Sequence, residues 1–254
     1  MPETNTFQGL HAAHYDLVYA DKPYAEEAQF VADLLGRTEG SLLDLACGTG
    51  RHALEFAGMG YEVTGVDYSE DLLELARRSA EEAGASIEFV AGDMRELDLG
   101  RTFDSVTCLF DSIGYPCTDE GIVAALTSAR NHLEPEGTLA VEFLHEAAMV
   151  RHYSPVRVRR WPTADGGELL RISETELDTE RGVMSVSYEL IELAPEGGGY
   201  TRAAETQENR YFEVEEMRSL MSQAGLEVER FVPAYSSSDS IDDETFHVIA
   251  VAHR

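Results

Sequence analysis

Apolar side chains follow two rhythms along the chain, and the change between them falls near residue 146. Before it, short runs of consecutive apolar residues alternate with stretches that repeat every three to four positions. Helical spacing over 24–35 leads to an apolar run at 41–46, a helix over 51–59, a run at 61–66 and a helix over 70–83. Runs at 86–90 and 103–109, a helix over 119–133 and a run at 138–144 complete the series. Continuous apolar runs suit strands buried on both faces, and their alternation with helices predicts a parallel sheet, an α/β fold of the Rossmann-like, doubly wound kind. Ligands of such sheets sit beyond the carboxyl ends of the strands.

After Glu146 the period shortens to two. Segments around 156–162, 168–177, 183–193 and 200–212 read as strands, separated by Asp165-Gly166-Gly167, by Asp178 to Gly182 and by Pro195-Glu196-Gly197-Gly198-Gly199. They predict an antiparallel β insertion after the fifth strand. A helix then carries Val214, Met217, Leu220, Met221 and Ala224 on one face and stops at Gly225. Leu226 to Phe231 and Phe246 to Ala252 form a terminal antiparallel hairpin at the sheet edge, and acidic Ser236 to Glu244 is the solvated loop between them. The expected division is a core with an amino-terminal helical cap over 1–150, the insertion over 151–210 as a lid or dimer surface, and the last helix and edge strands over 211–254.

Leu42-Leu43-Asp44-Leu45-Ala46-Cys47-Gly48-Thr49-Gly50 ends an apolar strand in a glycine turn where a helix begins. Glycine lets the backbone approach a ligand without a Cβ in the way, and the open amides of the helix start favour an anion. Gly48-Thr49-Gly50-Arg51-His52-Ala53 fits the dinucleotide fingerprint, and Asp67 lies near the expected acid about 20 residues on. Asp44 tips the reading away from that ligand. An acid inside the strand would repel a phosphate, whereas it suits an ammonium or hydroxyls.

The stretch resembles motif I of the class I S-adenosylmethionine-dependent methyltransferases, whose cofactor has an amino acid, a sulfonium and a ribose but no phosphate. Further stations follow in the family's order. Tyr61-Glu62-Val63-Thr64-Gly65-Val66-Asp67 ends a second strand in an acid, with Ser69 as N-cap of the next helix. Ala91-Gly92-Asp93-Met94-Arg95 resembles the segment around the adenine, Phe110-Asp111-Ser112-Ile113-Gly114-Tyr115 the loop between cofactor and acceptor, and Leu133 to Phe143 the helix end, turn and fifth strand.

The resemblance implies the cofactor S-adenosyl-L-methionine and assigns it Asp44, Ala46, Cys47, Gly48 and Gly50 at the methionine end. Asp67 then meets the ribose and Asp93 with Met94 the adenine, while Tyr68, Gly92 and Phe110 complete the expected cofactor contacts. Tyr15 and Tyr19 match tyrosines that close over the cofactor in such relatives, with simple packing an equal alternative. Asp111, Tyr115 and His145 are the expected acceptor residues. Some sugar-amine N-methyltransferases of this family carry a β piece at the place of the insertion.

Methyl transfer from a sulfonium is an in-line displacement on an activated donor, so alignment and water exclusion can supply most of the catalysis. An amine acceptor needs no base; a hydroxyl benefits from one. Tyr15, Asp111, Tyr115, Glu142 and His145 are the candidates, and His145 comes first, because imidazole titrates near neutrality. A histidine that merely caps the strand end is the plainer alternative. For His52 an ordinary half-buried role is favoured over that of a base.

Composition narrows the partners. With 254 residues, 43% of them hydrophobic, one domain with an elaboration is expected. No apolar run approaches a membrane span and no signal-like start is seen, so a soluble cytoplasmic protein is expected, without a membrane partner. Cys47, Cys108 and Cys117 form no CxxC pair, and no metal-ligand spacing appears. The net charge of −29, from 48 acidic and 19 basic residues, opposes binding of nucleic acid. Phe110 to Ile113 also lacks the Asn/Asp-Pro-Pro-aromatic pattern of enzymes that methylate bases. Arg151, Arg157, Arg159 and Arg160 are the one basic cluster, with the spacing of an exposed strand face. Lys22 is the only lysine, which fits either adaptation to salt or a coding bias toward arginine. The expected activity is methyl transfer to nitrogen or oxygen of a small molecule, by a monomer or a homodimer. An NAD-dependent oxidoreductase and a noncatalytic cofactor-binding protein remain the alternatives at this point.

Overall fold

Leu42, Leu43 and Leu45 are buried in the strand that leads to the glycine turn, the middle one of the five parallel strands in the larger of two sheets. The computed structural model describes residues 7–254. In chain order the elements are α1 (Gly9–Ala13), α2 (Tyr15–Val18), α3 (Tyr24–Leu35), β1 (Gly40–Leu45), α4 (Arg51–Met59), β2 (Tyr61–Asp67), α5 (Glu70–Ala83), β3 (Glu88–Ala91) and β4 (Phe103–Cys108). There follow α6 (Asp119–Asn131), β5 (Leu133–Leu144), α7 (Glu146–His152), β6 (Val156–Pro162), β7 (Glu168–Asp178), β8 (Val183–Leu193), β9 (Tyr200–Arg210), α8 (Val214–Gln223), β10 (Glu227–Pro233) and β11 (His247–His253).

The larger sheet has the order β10-β11-β5-β4-β1-β2-β3. Strands β1 to β5 are parallel, and β11 runs antiparallel between β5 and β10. Ile122 and Leu126 of α6 with Met217 and Leu220 of α8 fill one face; Val31 and Leu35 of α3 with Phe56 of α4 fill the other. Each such side chain, once fully buried, contributes about 1.5–3 kcal/mol. Strand order reverses between β1 and β4, so a crevice opens beyond their carboxyl ends.

Strands β6 to β9 make the second sheet, a simple antiparallel meander. The chain leaves for it and returns at one place. Phe212 donates its N–H to the Leu144 carbonyl and accepts from the Glu146 N–H, both at 2.9 Å. The meander is therefore anchored at the carboxyl end of β5, beside the crevice. Arg157, Arg159 and Arg160 lie exposed on its edge strand β6, as their spacing suggests.

Differences from the expected elements are local. Strand β5 begins at Leu133, which pairs with Phe103 before a register shift at the Pro135 turn, so α6 ends earlier, at Asn131. Helix α7 was hidden by its shortness, one apolar pair, Ala148 and Met149, being buried. Among the described residues no helix is long and apolar enough to cross a membrane.

Candidate active site

The turn after β1 takes three left-handed residues, Ala46 (φ 55°), Gly48 (φ 57°) and Gly50 (φ 72°). This alternation turns backbone amides to one side. One is already engaged: the Gly48 N–H donates to Asp67 Oδ2 at 2.8 Å, tying the end of β1 to the end of β2. Gly50 serves the fold rather than the crevice. A Cβ there would lie 2.9 Å from the Phe89 ring and 3.1 Å from the Ala76 methyl, and Gly50 does not line the cavity. Its assignment to the cofactor is corrected: what that position needs is close packing of α4 on β3 and α5.

The cavity occupies about 390 Å³ beyond the ends of β1, β2, β3 and β4, a size suited to a small ligand. Tyr15, Asp44, Ala46, Cys47, Gly48, Asp67, Tyr68, Gly92, Asp93, Met94, Phe110 and Tyr115 all line it. Residues far apart in the chain thus meet. Phe7, Tyr24, Arg51, Arg95, Ser112 and Glu208 also line it, though motif reading gave them no role. Arg51, Arg95 and Ser112 stand inside the motifs, Phe7 and Tyr24 in the amino-terminal segment, and Glu208 near the far end of β9.

Asp44 is 2% exposed and accepts a hydrogen bond from Thr107 Oγ1 at 2.8 Å. Burial raises its pKa to about 6, against the opposing pull of His52 and Thr107. A cation placed beside it would restore the charged form. Asp67 accepts from the Ser69 N–H as well as from Gly48, and burial outweighs these bonds to raise its pKa. Asp93 is held low by Arg95, whose Nε donates to both carboxylate oxygens at 2.9 Å. Tyr68, 64% exposed, stands at the lip where a flat ring would stack.

The candidate bases fare differently. Burial drives the phenols of Tyr15 and Tyr115 far above their ordinary range, so both remain protonated and neither accepts a proton. Tyr15 is nonetheless well placed as a cover: its hydroxyl would lie 3.9 Å from a Cβ on Gly48. The Cys47 thiol is likewise held neutral by burial. His52 is buried and also lines the cavity, bonded to Glu27 at 2.9 Å and meeting the Tyr24 ring edge to face.

His145 lies elsewhere. Its Nδ1 is 3.0 Å from the Thr245 carbonyl, and it borders a separate shallow recess with Glu146, Val150 and Glu213. The chain turns away from the crevice at this residue to start α7, so the expectation that His145 is a base or acceptor contact is corrected. Asp111 also does not line the cavity; its Oδ1 is 3.0 Å from His247 Nδ1, on the side of the sheet. Its expected place among the acceptor contacts and bases is corrected in turn. Glu142, another candidate base, is buried beside it and accepts from the Phe110 N–H at 2.7 Å and from the Tyr235 hydroxyl at 2.6 Å. Side-chain atoms of Asp111, Glu142 and His247 fall within 4.8 Å of one another, a grouping that chain spacing conceals.

Asp44, Asp67, Asp93 and Glu208 stand against Arg51 and Arg95 along the cavity wall. That balance, with a buried acid at its base, fits a cationic nucleoside without phosphate. The residues present therefore suit S-adenosylmethionine, which when bound supplies a methyl group on a sulfonium.

Known proteins point to the same family. Residues 42–137 match the family described as a methyltransferase domain. The chain is 36% identical over 226 residues, 86% of its length and 91% of the relative's, to the dTDP-3-amino-3,4,6-trideoxy-alpha-D-glucopyranose N,N-dimethyltransferase of Streptomyces venezuelae. It is 34% identical to the dTDP-3-amino-3,6-dideoxy-alpha-D-glucopyranose N,N-dimethyltransferase of Streptomyces fradiae, with 89% and 87% of the two chains covered. The S-adenosylmethionine-bound structure of CalS10, an amino pentose methyltransferase from Micromonospora echinaspora, superposes with a TM-score of 0.73 at 26% identity over 98% of both chains. The oxidoreductase and the noncatalytic protein are not favoured by any of these. Fold, acid placement and kinship converge: the chain belongs to the S-adenosylmethionine-dependent methyltransferases and transfers a methyl group to a small molecule.

Proposed function

We propose that the acceptor atom is an amine nitrogen on a small polar molecule of the amino-sugar kind. The observation that carries this reading is the state of the cavity's proton-accepting groups: Tyr15 and Tyr115 are kept as phenols and Cys47 as a thiol. None of these three groups takes the proton of a hydroxyl acceptor, whereas a neutral amine brings its own lone pair and needs no base. Glu208 on β9 gives the cavity a carboxylate toward the insertion, which attracts an ammonium before it loses a proton to solvent. Relatives named for amino-sugar dimethylation, matched over most of their length, support the same choice.

Within this reading Asp44 and the amides of the turn hold the methionine end, Asp67 the ribose, and Asp93, Met94 and Tyr68 the adenine. Phe110, Ser112, Tyr115 and Glu208 face the acceptor, with Tyr15 closing the cavity above. The insertion over 151–210 then works as an acceptor wall. Exposed Val156 and Val158 on its edge strand offer a surface for a homodimer, which sedimentation would read directly.

Incubation with S-adenosylmethionine and paired acceptors, an amino sugar free or nucleotide-linked and its hydroxy counterpart, tests the choice by mass spectrometry. One or two added methyl groups on the amine alone are expected. Methylation of the hydroxy compound at oxygen would reverse the assignment.

A further inference from the structure

Phe110 and Asp111 are consecutive non-glycine residues in the left-handed region, at φ 55° and 58°. Such a pair is strained and persists only where surrounding contacts over-determine it. The contacts come from three distant parts of the chain. Glu142 on β5 takes the Phe110 N–H at 2.7 Å, Asn209 on β9 donates Nδ2 to the Asp111 carbonyl at 3.1 Å, and His247 on β11 holds the Asp111 carboxylate. His247 Nδ1 also lies 3.3 Å from Glu142 Oε1.

We propose that His247 is a positioning residue for methyl transfer: as an imidazolium it bridges Asp111 to Glu142 and so fixes the strained backbone that aims Phe110, Ser112 and Tyr115 at the acceptor. The inference rests on the methyl-transfer reading but names a residue that neither touches the cavity nor belongs to a motif. Two buried carboxylates side by side need a positive charge between them. The ionisable groups facing the bridge are Asp111 and Glu142, with Lys22 acting on Asp111 from across the Phe110 ring, 4.5 Å from its centroid, and the Tyr235 phenol on Glu142. Lys22 is itself tied to Glu27, which leaves His247 as the cation in contact with both acids. The charge of Asp111, ahead of the cost of burial, raises the His247 pKa to about 11. Alignment is what this reaction asks of the protein, and a displacement of about 1 Å can cost a factor on the order of 100.

The test uses the full chain with His247→Asn, which keeps a donor near Nδ1 without charge, together with His247→Ala, Asp111→Asn and the Asp111→Asn/His247→Ala double variant. In His247→Ala, kcat on the amine should fall on the order of 10- to 100-fold while cofactor Kd stays within about threefold, with His247→Asn between it and wild type. Asp111→Asn should reduce kcat similarly, and the double variant should be no slower than the worse single one, as for groups that act as a unit. Histidine NMR of the wild type, which needs no acceptor, should show His247 still doubly protonated at pH 8. A neutral ring at that pH, unchanged kcat in His247→Ala, additive losses in the double variant, or loss of cofactor binding in step with kcat would each overturn the proposal. So would turnover abolished by EDTA and restored by zinc or manganese. An inactive wild type with a protonated His247 would instead count against the amine reading alone.

Discussion

The two ends of the cavity are built in opposite ways. The end proposed for the cofactor comes from contiguous pieces, each a strand that runs into a turn with a glycine or an acid, and each carries its own local reason for its shape. The end proposed for the acceptor is assembled from the loop after β4, one strand of the insertion and the amino-terminal helices, with no glycine turn to announce it. The first end is framed by a left-handed turn and by acids at the ends of adjacent strands, so little of it can change without altering the strand ends themselves. The second is held by side chains that reach across the fold, so its shape depends on residues far from it in the sequence.

The largest effect expected on this contrast is that of Asp44→Asn. Loss of a charged partner for the cofactor ammonium should weaken S-adenosylmethionine by about 1.5–3 kcal/mol, read by calorimetry. The same change should stabilise the ligand-free protein. Because burial raises the Asp44 pKa from 3.8 to about 6, the folded state binds this proton more tightly than the unfolded chain does. Stability therefore declines as pH rises between those values and stays lower above them, by about 3 kcal/mol. The amide variant would escape that loss, so denaturant melts should separate the two proteins at pH 7.5 and bring them together near pH 4. Cofactor affinity of the native enzyme should correspondingly increase from pH 5 to 7. A variant that binds as well as wild type would break the distinction between the two ends.

Asp67→Ala comes next. It removes the carboxylate assigned to the ribose and also frees the Gly48 amide, so cofactor binding should fall by about 1.5–3 kcal/mol without a gain in stability. Gly50→Ala should act on stability instead, since its φ of 72° and the 2.9 Å approach of Phe89 both oppose a Cβ. A loss of about 1–3 kcal/mol in a denaturant melt is expected. The smallest change belongs to the acceptor end: Glu208→Gln should raise KM for the amine several-fold, by about 1 kcal/mol, and leave cofactor Kd unaltered.

What could be read from the chain divides along the same line. Strand and helix positions follow apolar periodicity, and the parallel core, the antiparallel meander and the terminal hairpin all appear where it puts them. Asp44, Asp67 and Asp93 were legible because each ends or interrupts an apolar run at the carboxyl end of a strand. His145 misled because nearness to a strand end does not fix the direction of the chain beyond it, and here the backbone leaves for α7. Asp111 misled for a related reason: the left-handed residue before it turns its carboxylate toward β11, a strand that begins 136 positions later. Glu208 and His247 could not be found by spacing at all, since only tertiary pairing brings them to the site.

The meander enters and leaves through a single seam, where Phe212 bonds to both Leu144 and Glu146. On the proposed reading the segment bounded by this seam carries the substrate-facing wall, and a graft there leaves every strand register of the seven-stranded sheet in place. Chimeras cut at 145 and 211 that keep Asn209, which holds the Asp111 carbonyl, are then the natural unit for exchanging selectivity.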